Sequence, residues 1–525
     1  MSDVPTGSET ESNSGLSRRS LLGRSATGLG IVLAGNVSGL FGADAMAKGH
    51  GRHGVGYGPL VDDPAGVLSL PAGFSYTIVA QSGVTKLQSG EPTPSDPDGT
   101  ASFVRRGGNG SVLVNNHEVS GSEPYPVPGT PGFVYDDKAG GGTTTIEVDR
   151  RGNRVREYVS LAGTQNNCAG GRTPWETWLS CEESEKILGK RHGYVFEVDP
   201  YDQRANLNPK PIKALGRYSH ESVVVDPGTG RIYQTEDATN PNGLLYRFTP
   251  PRSALPLRHG SLRALADDAG KLDAMNAFTR RGTFVPDLSV ATRPGTKYRV
   301  EWVKVPERDA ATVSTRKQFG VGEVTRSRKL EGMWWGDGGA YFVASFARSS
   351  DGSAAQHDGQ VWFIDPDAGT IELKLYFAYT PSDQDNDPDG PDNITVSPYG
   401  GVIVAEDGEG VNHLVGATDR GEPFFFARTT TQSRTRSSPD RTSRATRRPC
   451  SPTSRCPATC SRSKDRSRSS ADGCDRRYGR GYHDGDLRAR PEVLDRGVAA
   501  VGGCDRLDDG QPEAGSAASA RRVRA

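Results

Sequence analysis

Between about Leu60 and Arg428 the chain alternates short apolar runs with turn residues, and few stretches carry the spacing of a buried helix face. Several runs share one design: apolar residues, then Asp-Pro or Ser-Pro with glycine, then apolar residues again. Val223-Val224-Val225 leads through Asp226-Pro227-Gly228-Thr229-Gly230 to Ile232-Tyr233. Val361-Trp362-Phe363-Ile364 with Asp365-Pro366 and Gly369, Ile394 to Val404 around Ser397-Pro398, and Tyr194 to Pro200 follow the same pattern. Proline fixes φ and glycine supplies positive φ, so each unit predicts a tight turn between half-buried strands. Such hairpins recur through most of the chain, more than a β-sandwich needs, which predicts an all-β fold of the β-propeller kind. Two segments interrupt the pattern. Ser261–Met275, with Leu262, Leu265 and Leu272, predicts a short inserted helix. Asp383–Gly390 alternates oxygen-bearing residues like part of a calcium loop but lacks the spaced terminal Glu, so an acidic surface loop fits equally.

The two ends differ in kind from this body. Ser17-Arg18-Arg19-Ser20-Leu21-Leu22 resembles a twin-arginine export signal, followed by a weakly apolar stretch to Ala43 and a small-x-small cleavage site at Ala45-Met46-Ala47. Asn36, Ser38 and several glycines break the apolar run before it reaches the roughly 18 residues of a spanning helix. The expected organisation is a leader over 1–47, a Gly/His-rich linker over 48–58, a propeller over 59–428 and a tail over 429–525. The protein is expected in the cell envelope or outside the cell, with the twin-arginine translocase as a transient partner and no stable membrane span. After Arg428 the chain has no Phe, Ile or Trp and is dominated by Arg, Ser, Thr and Pro until about Arg480. That composition fits a disordered basic arm or, better, an out-of-frame stretch, and either leaves the last blade incomplete.

Lys+Arg and Asp+Glu balance at 64 each, and no nucleic-acid partner is expected. Of seven cysteines, only Cys168 and Cys181 lie in the body. They bracket the most informative segment: Asn166-Asn167-Cys168-Ala169-Gly170-Gly171, then Trp175 and Trp178, then Cys181-Glu182-Glu183. A soft sulfur beside hard carboxylates suits a transition metal next to an oxygen-bound cation. A buried free thiol with a solvated Glu pair, or a Cys168–Cys181 disulfide in an oxidising compartment, are the competing readings.

This segment resembles the signature of the PhoX-type alkaline phosphatases, with Glu176 in place of a small residue after the tryptophan. Asn115-Asn116-His117-Glu118, Tyr218-Ser219-His220-Glu221, Thr235-Glu236-Asp237, Glu331-Gly332-Met333, Asp392-Asn393-Ile394 and Glu406-Asp407 extend the resemblance in order, to about Arg428. It implies a secreted phosphomonoesterase with an iron–calcium cluster in a propeller channel. Cys168 would be the thiolate on Fe3+, with Glu221, Asp237 and Glu331 as acidic ligands to iron or Ca2+. Glu118 and Glu182 would be further metal contacts, and Asn115 a substrate contact. Lys329 stands where the family pattern has an arginine for phosphate; it keeps the charge and loses the planar fork. His117 and His220 would orient neighbouring groups or transfer protons. No Gly-x-Ser-x-Gly element or P-loop occurs. The alternatives are a calcium-dependent hydrolase of lactonase type and a non-enzymatic calcium-bound platform.

Overall fold

A computed structural model of the chain describes residues 29–34, 55–379, 388–397, 400–408, 411–418, 420–429 and 498–499, of which 29–34 and 498–499 are described by backbone alone. The rest of the expected leader, linker and tail, and Asp383–Asp387 of the acidic loop, lie outside the described residues.

The body is a β-propeller built blade by blade along the chain. Blade 1 pairs Pro97–Val104, Ser111–His117, Gly141–Val148 and Arg154–Thr164 in sequence order. Blade 2 pairs Asn167–Arg172, Trp178–Glu182 and Val195–Val198. Blade 3 runs His220–Val225, Ile232–Glu236, Leu245–Thr249 and Lys271–Phe278. Blade 4 runs Leu330–Gly336, Gly339–Ala344, Gly359–Asp365 and Thr370–Phe377. The strand Lys297–Lys304 joins the outer edges of blades 3 and 4 into one continuous sheet. Blade 5 runs Pro391–Val396, Val402–Glu406, His413–Ala417 and Pro423–Thr429 and is extended outward by Leu68–Pro71 and Leu60–Val61.

The cores lie between neighbouring sheets, as a ring of face-packed blades requires. Phe103, Val112 and Leu161 of blade 1 meet Trp178, Phe196 and Val198 of blade 2. Leu179 and Val195 meet Val223, Ile232 and Phe248. Tyr233 and Met275 meet Met333, Phe342 and Trp362, and Val343 and Val361 meet Ile394, Val404 and Val415. The ring closes through the N-terminal segment. Ser75–Gln81 packs Tyr76 against the Phe424–Phe426 core of blade 5 and Val79 and Ala80 against Leu113, Ile146 and Val148 of blade 1. In this last position, among the described residues, Ser75–Gln81 is followed by Leu29–Ala34 and the two residues Val498–Ala499.

The hairpin reading holds where Asp226 accepts hydrogen bonds from the turn amides of Gly228 and Thr229 and where Asp365 does the same for Asp367 and Ala368. Two local expectations change. Val195–Val198 is a single strand leading into the 3-10 turn Gln203–Asn206 rather than into a hairpin. The helix expected over Ser261–Met275 is one 3-10 turn, Leu262–Ala264, followed from Lys271 by a blade strand. Gly270 at positive φ breaks the segment, and Leu272 belongs to the alternation of that strand, not to a helix face. The inserted helical segments of this fold are 3-10 turns of three or four residues. Among the described residues no helix is long and apolar enough to cross a membrane.

Candidate metal centre

One backbone device is repeated in all five blades and builds the site. In blade 1, Pro97 pairs with His117 and Thr100 with Asn115, so two residues of the first strand oppose one of the second. The same step separates Asn167–Glu182 from Gly170–Ser180, His220–Glu236 from Val223–Gln234, Leu330–Ala344 from Met333–Phe342, and Pro391–Glu406 from Ile394–Val404. Each is a β-bulge, which bends its strand and re-aims a side chain. The first bulged residues are Asp98, Cys168, Glu221, Glu331 and Asp392. Two residues before them, Asp96, Asn166, Lys329 and Gly390 adopt left-handed φ of 45°, 55°, 45° and 56°. Their carbonyls accept from Glu118, Glu183, Ser345 and Asp407, the residues just past the second strand of each blade. Backbone strain of this kind at non-glycine residues gathers where structure holds a functional geometry.

In blades 1 to 4 the second bulged residue is small (Gly99, Ala169, Ser222, Gly332), and the next blade presses close to it. A Cβ on Gly332 would sit 2.8 Å from the Asp392 carbonyl oxygen, and one on Gly171, a little further along its strand, 1.8 Å from the Val223 oxygen. Side chains then tie blade to blade. Asn116 Nδ2 donates to the Cys168 and Ala169 carbonyls at 2.9 and 2.7 Å, and its Oδ1 accepts from Trp178 Nε1 and Ser180 Oγ. Thr235 Oγ1 donates to the Glu331 carbonyl at 2.7 Å, and Ser222 Oγ to that of Gly170.

This frame brings Cys168, Glu183 and Glu221 together with one donor atom each within 4.8 Å of one another, and Glu221, Glu331 and Asp392 likewise. Cys168 and Glu221 are fully buried, Glu331 and Asp392 nearly so. Lys329 Nζ lies 2.7 Å from Glu331 Oε1 and 3.0 Å from Asp237 Oδ2, so Asp237 joins the second group through the lysine. Glu118 sits on the same rim as Glu183, with its Oε1 accepting from Asn166 Nδ2 at 3.1 Å. Asn393 Nδ2 donates to Asp98 Oδ1 at 2.9 Å, linking blade 5 to blade 1. Burial, with Glu123 and Asp98 nearby, raises Asp96 to about 7.

The other expected residues are placed elsewhere. Glu182 faces into blade 2, where it accepts from His192 Nδ1 at 2.6 Å and from the Gln165, Gly193 and Tyr194 amides. Strand alternation is the reason: Glu182 and Glu183 are successive, and the second points to the centre. Asn115 is held within blade 1 by Thr100 Oγ1 and the Asn116 carbonyl. His117 is bonded to the Ser95 carbonyl and Thr144 Oγ1, and burial lowers it to about 4. His220 stacks on Tyr218 and donates to the Gly216 carbonyl, and burial lowers it to about 3. Both are neutral near pH 7 and engaged in structure. Cys168 and Cys181 are not joined in a disulfide. Cys181 occupies the blade 2 position matching Asn116 and Thr235, facing the next blade, and burial, with Glu221 and Glu182 nearby, pushes its thiol well up. Asp98 is a bulge residue the motif reading did not single out. Four of the five bulge residues stand two positions after a left-handed residue, and all five come just before a small or amide side chain.

The donor set fits metal ions. Two three-residue groups share Glu221, one contains a thiol and the other only carboxylates, and burying so many acids together requires compensating positive charge. A family model described as alkaline phosphatase PhoX matches residues 55–453. The chain belongs to this family. PhoX membership makes it a phosphatase-type hydrolase with a small phosphate ester as substrate, and the acidic groups are where metal ions can be held. No curated protein matches the chain. Solved structures similar to it include a protein from Lactobacillus plantarum (10% identity, 77% of this chain and 97% of that one, TM-score 0.29). An apocarotenoid oxygenase of Synechocystis is 13% identical over 71% of this chain and 69% of that one, with TM-score 0.30. A gluconolactonase from Xanthomonas campestris is 8% identical over 65% and 88%, with TM-score 0.23.

Proposed function

We propose that this PhoX-family chain hydrolyses phosphate monoesters at the channel mouth, using iron held by Cys168, Glu183 and Glu221 and calcium held by Glu221, Glu331 and Asp392. The observation that carries this reading is the shared Glu221: it couples a group containing sulfur to a group made only of oxygen donors. Thiolate favours a transition metal, whereas calcium takes carboxylate oxygens, so the two groups differ in the ion they select. Bound there, such ions supply Lewis-acid charge for the phosphoryl oxygens.

The chain's own residues set the rest. The Lys329 ammonium offsets Asp237 and Glu331 and ties the two carboxylates together. Asn116 and Thr235 fix the carbonyls behind Cys168 and Glu331, so the bulges cannot drift apart. His117 and His220, neutral and bonded to backbone, hold strand ends and do not exchange protons near neutral pH. The leader pattern supports export, with the enzyme working outside the cytoplasm after passing the twin-arginine translocase.

The test is metal analysis of the purified protein together with p-nitrophenyl phosphate hydrolysis in the native chain and in Cys168→Ala. Iron and calcium in the native protein, with iron and activity lost in the variant and calcium kept, is the expected result. Calcium without iron, combined with lactone opening and no ester hydrolysis, overturns it.

A further inference from the structure

Three arginines stand beside the acidic groups, and two of them hold carboxylates at close range. Arg316 Nη1 donates to Glu185 at 2.9 Å and Glu236 at 3.1 Å. Arg348 is bound by the Asp358 carboxylate and by the Ala347 and His357 carbonyls. Arg328 is different. Its nearest carboxylates are Asp237 Oδ1 at 3.4 Å from Nη1 and Asp351 Oδ2 at 3.5 Å from Nε. Both distances lie at the outer limit of a charge-assisted hydrogen bond, which closes to about 2.8 Å when fully formed.

Asp351 is already used. Its Oδ2 accepts from the Arg348 amide at 3.0 Å and its Oδ1 from Ser353 N and Oγ, capping the turn Ser349–Asp351. The Arg328 Nε is buried without a hydrogen bond, as is that of Arg316. The side chain keeps 15% exposure. Its guanidinium lies 5.2 Å from the centre of the Phe346 ring, which also has Arg348 at 5.4 Å and Lys329 at 6.0 Å. Three cations thus gather around one aromatic ring beside Asp237. The ammonium of Lys329 is committed to two carboxylates, and the guanidinium of Arg328 is the less tightly held cation beside it.

We propose that Arg328 is the guanidinium that binds the substrate phosphate, its weakly held head turning from Asp237 onto the anion's oxygens while Lys329 stays with the acids. The proposal rests on the phosphatase reading above. Planar bidentate contact distinguishes it from a lysine contact. Inorganic phosphate is the probe, measured as a competitive inhibitor of p-nitrophenyl phosphate hydrolysis in the full chain, with metal content and thermal midpoint followed in parallel. Arg328→Ala is expected to raise both the phosphate inhibition constant and KM by roughly 10- to 100-fold with metal content unchanged. Arg328→Lys is expected to fall between, because charge is retained without the fork.

An unchanged inhibition constant in Arg328→Ala overturns the proposal, as does loss of metal or of the fold in both variants, which makes the arginine structural. A native protein that neither hydrolyses the ester nor is inhibited by phosphate fails at the earlier step, removing the phosphatase reading itself. A native enzyme inhibited by phosphate, alongside an unaffected variant, removes only the role of Arg328.

Discussion

In blade 2 the left-handed residue before the bulge is Asn166, the bulge presents Cys168 and the rim residue is Glu183. In blade 4 the same three places hold Lys329, Glu331 and Ser345. The hydrogen bond from the rim amide to the left-handed carbonyl is 2.9 Å in one and 2.8 Å in the other, so the backbone is shared and only the chemistry differs. Blade 4 brings its own cation and omits one acid. Blade 2 brings sulfur and an acid. The contrast teaches that the asymmetry of the centre is written in side chains on a rotationally repeated scaffold, with blade 3 supplying the acid common to both groups.

The strongest way to break this picture is at that common acid. Glu221→Gln is expected to empty both groups and to lower kcat by about 10³-fold or more, because charge stabilisation fails on both sides. Metal analysis decides it: loss from one group alone, with the other intact, would separate the two groups. A finer cut lies within blade 2. Glu183→Gln is expected to weaken metal affinity with little change in thermal midpoint. Glu182→Gln should instead destabilise the fold by about 3 kcal/mol, since it leaves His192 and three buried amides facing an uncharged partner. Thermal melts and metal titrations of the two variants, taken together, test the division; equal metal loss in both would remove it.

The smallest effect is the pH response of the same buried group. Burial would lower His192, but Glu182 on one ring nitrogen and Asp136 on the other outweigh it and raise the imidazole above its usual value. A histidine raised in the folded state contributes stability that is full below its unfolded value near 6.5 and fades as pH rises through the folded one. The native midpoint should therefore decline from neutral into alkaline pH, and His192→Gln should flatten that part of the curve. A native midpoint that holds steady or climbs across this window would contradict the assignment.

Much of the architecture was legible in the chain. Proline and glycine at the turns near Asp226 and Asp365 marked hairpins because turn geometry is local, and the recurrence of those hairpins marked a propeller. What sequence could not show directly was the bulge, since an inserted residue re-aims a side chain without changing composition, nor which of two adjacent acids faces inward, since strand alternation decides that only once the strand's end is known. Glu182 and Glu183 are the clearest case. The same rule applies to His117–Glu118, Glu236–Asp237 and Glu406–Asp407, where the first member ends the strand and the second is half-buried on the rim. Ser261–Met275 misled for a different reason: three leucines near helical spacing straddle a turn and a strand, and Gly270 between them sets the break. The motif contexts located Cys168, Glu221 and Glu331 individually, but their meeting depends on blade rotation, which no local pattern carries.

The fivefold bulge separates two jobs that most proteins fuse. Pairing and packing between blades hold the frame, while the residue at the crest of each bend is a thiol in one blade and a carboxylate in the other four. Single replacements at Asp98, Cys168, Glu221, Glu331 or Asp392 can thus change the donors offered at the centre while leaving the folding problem already solved.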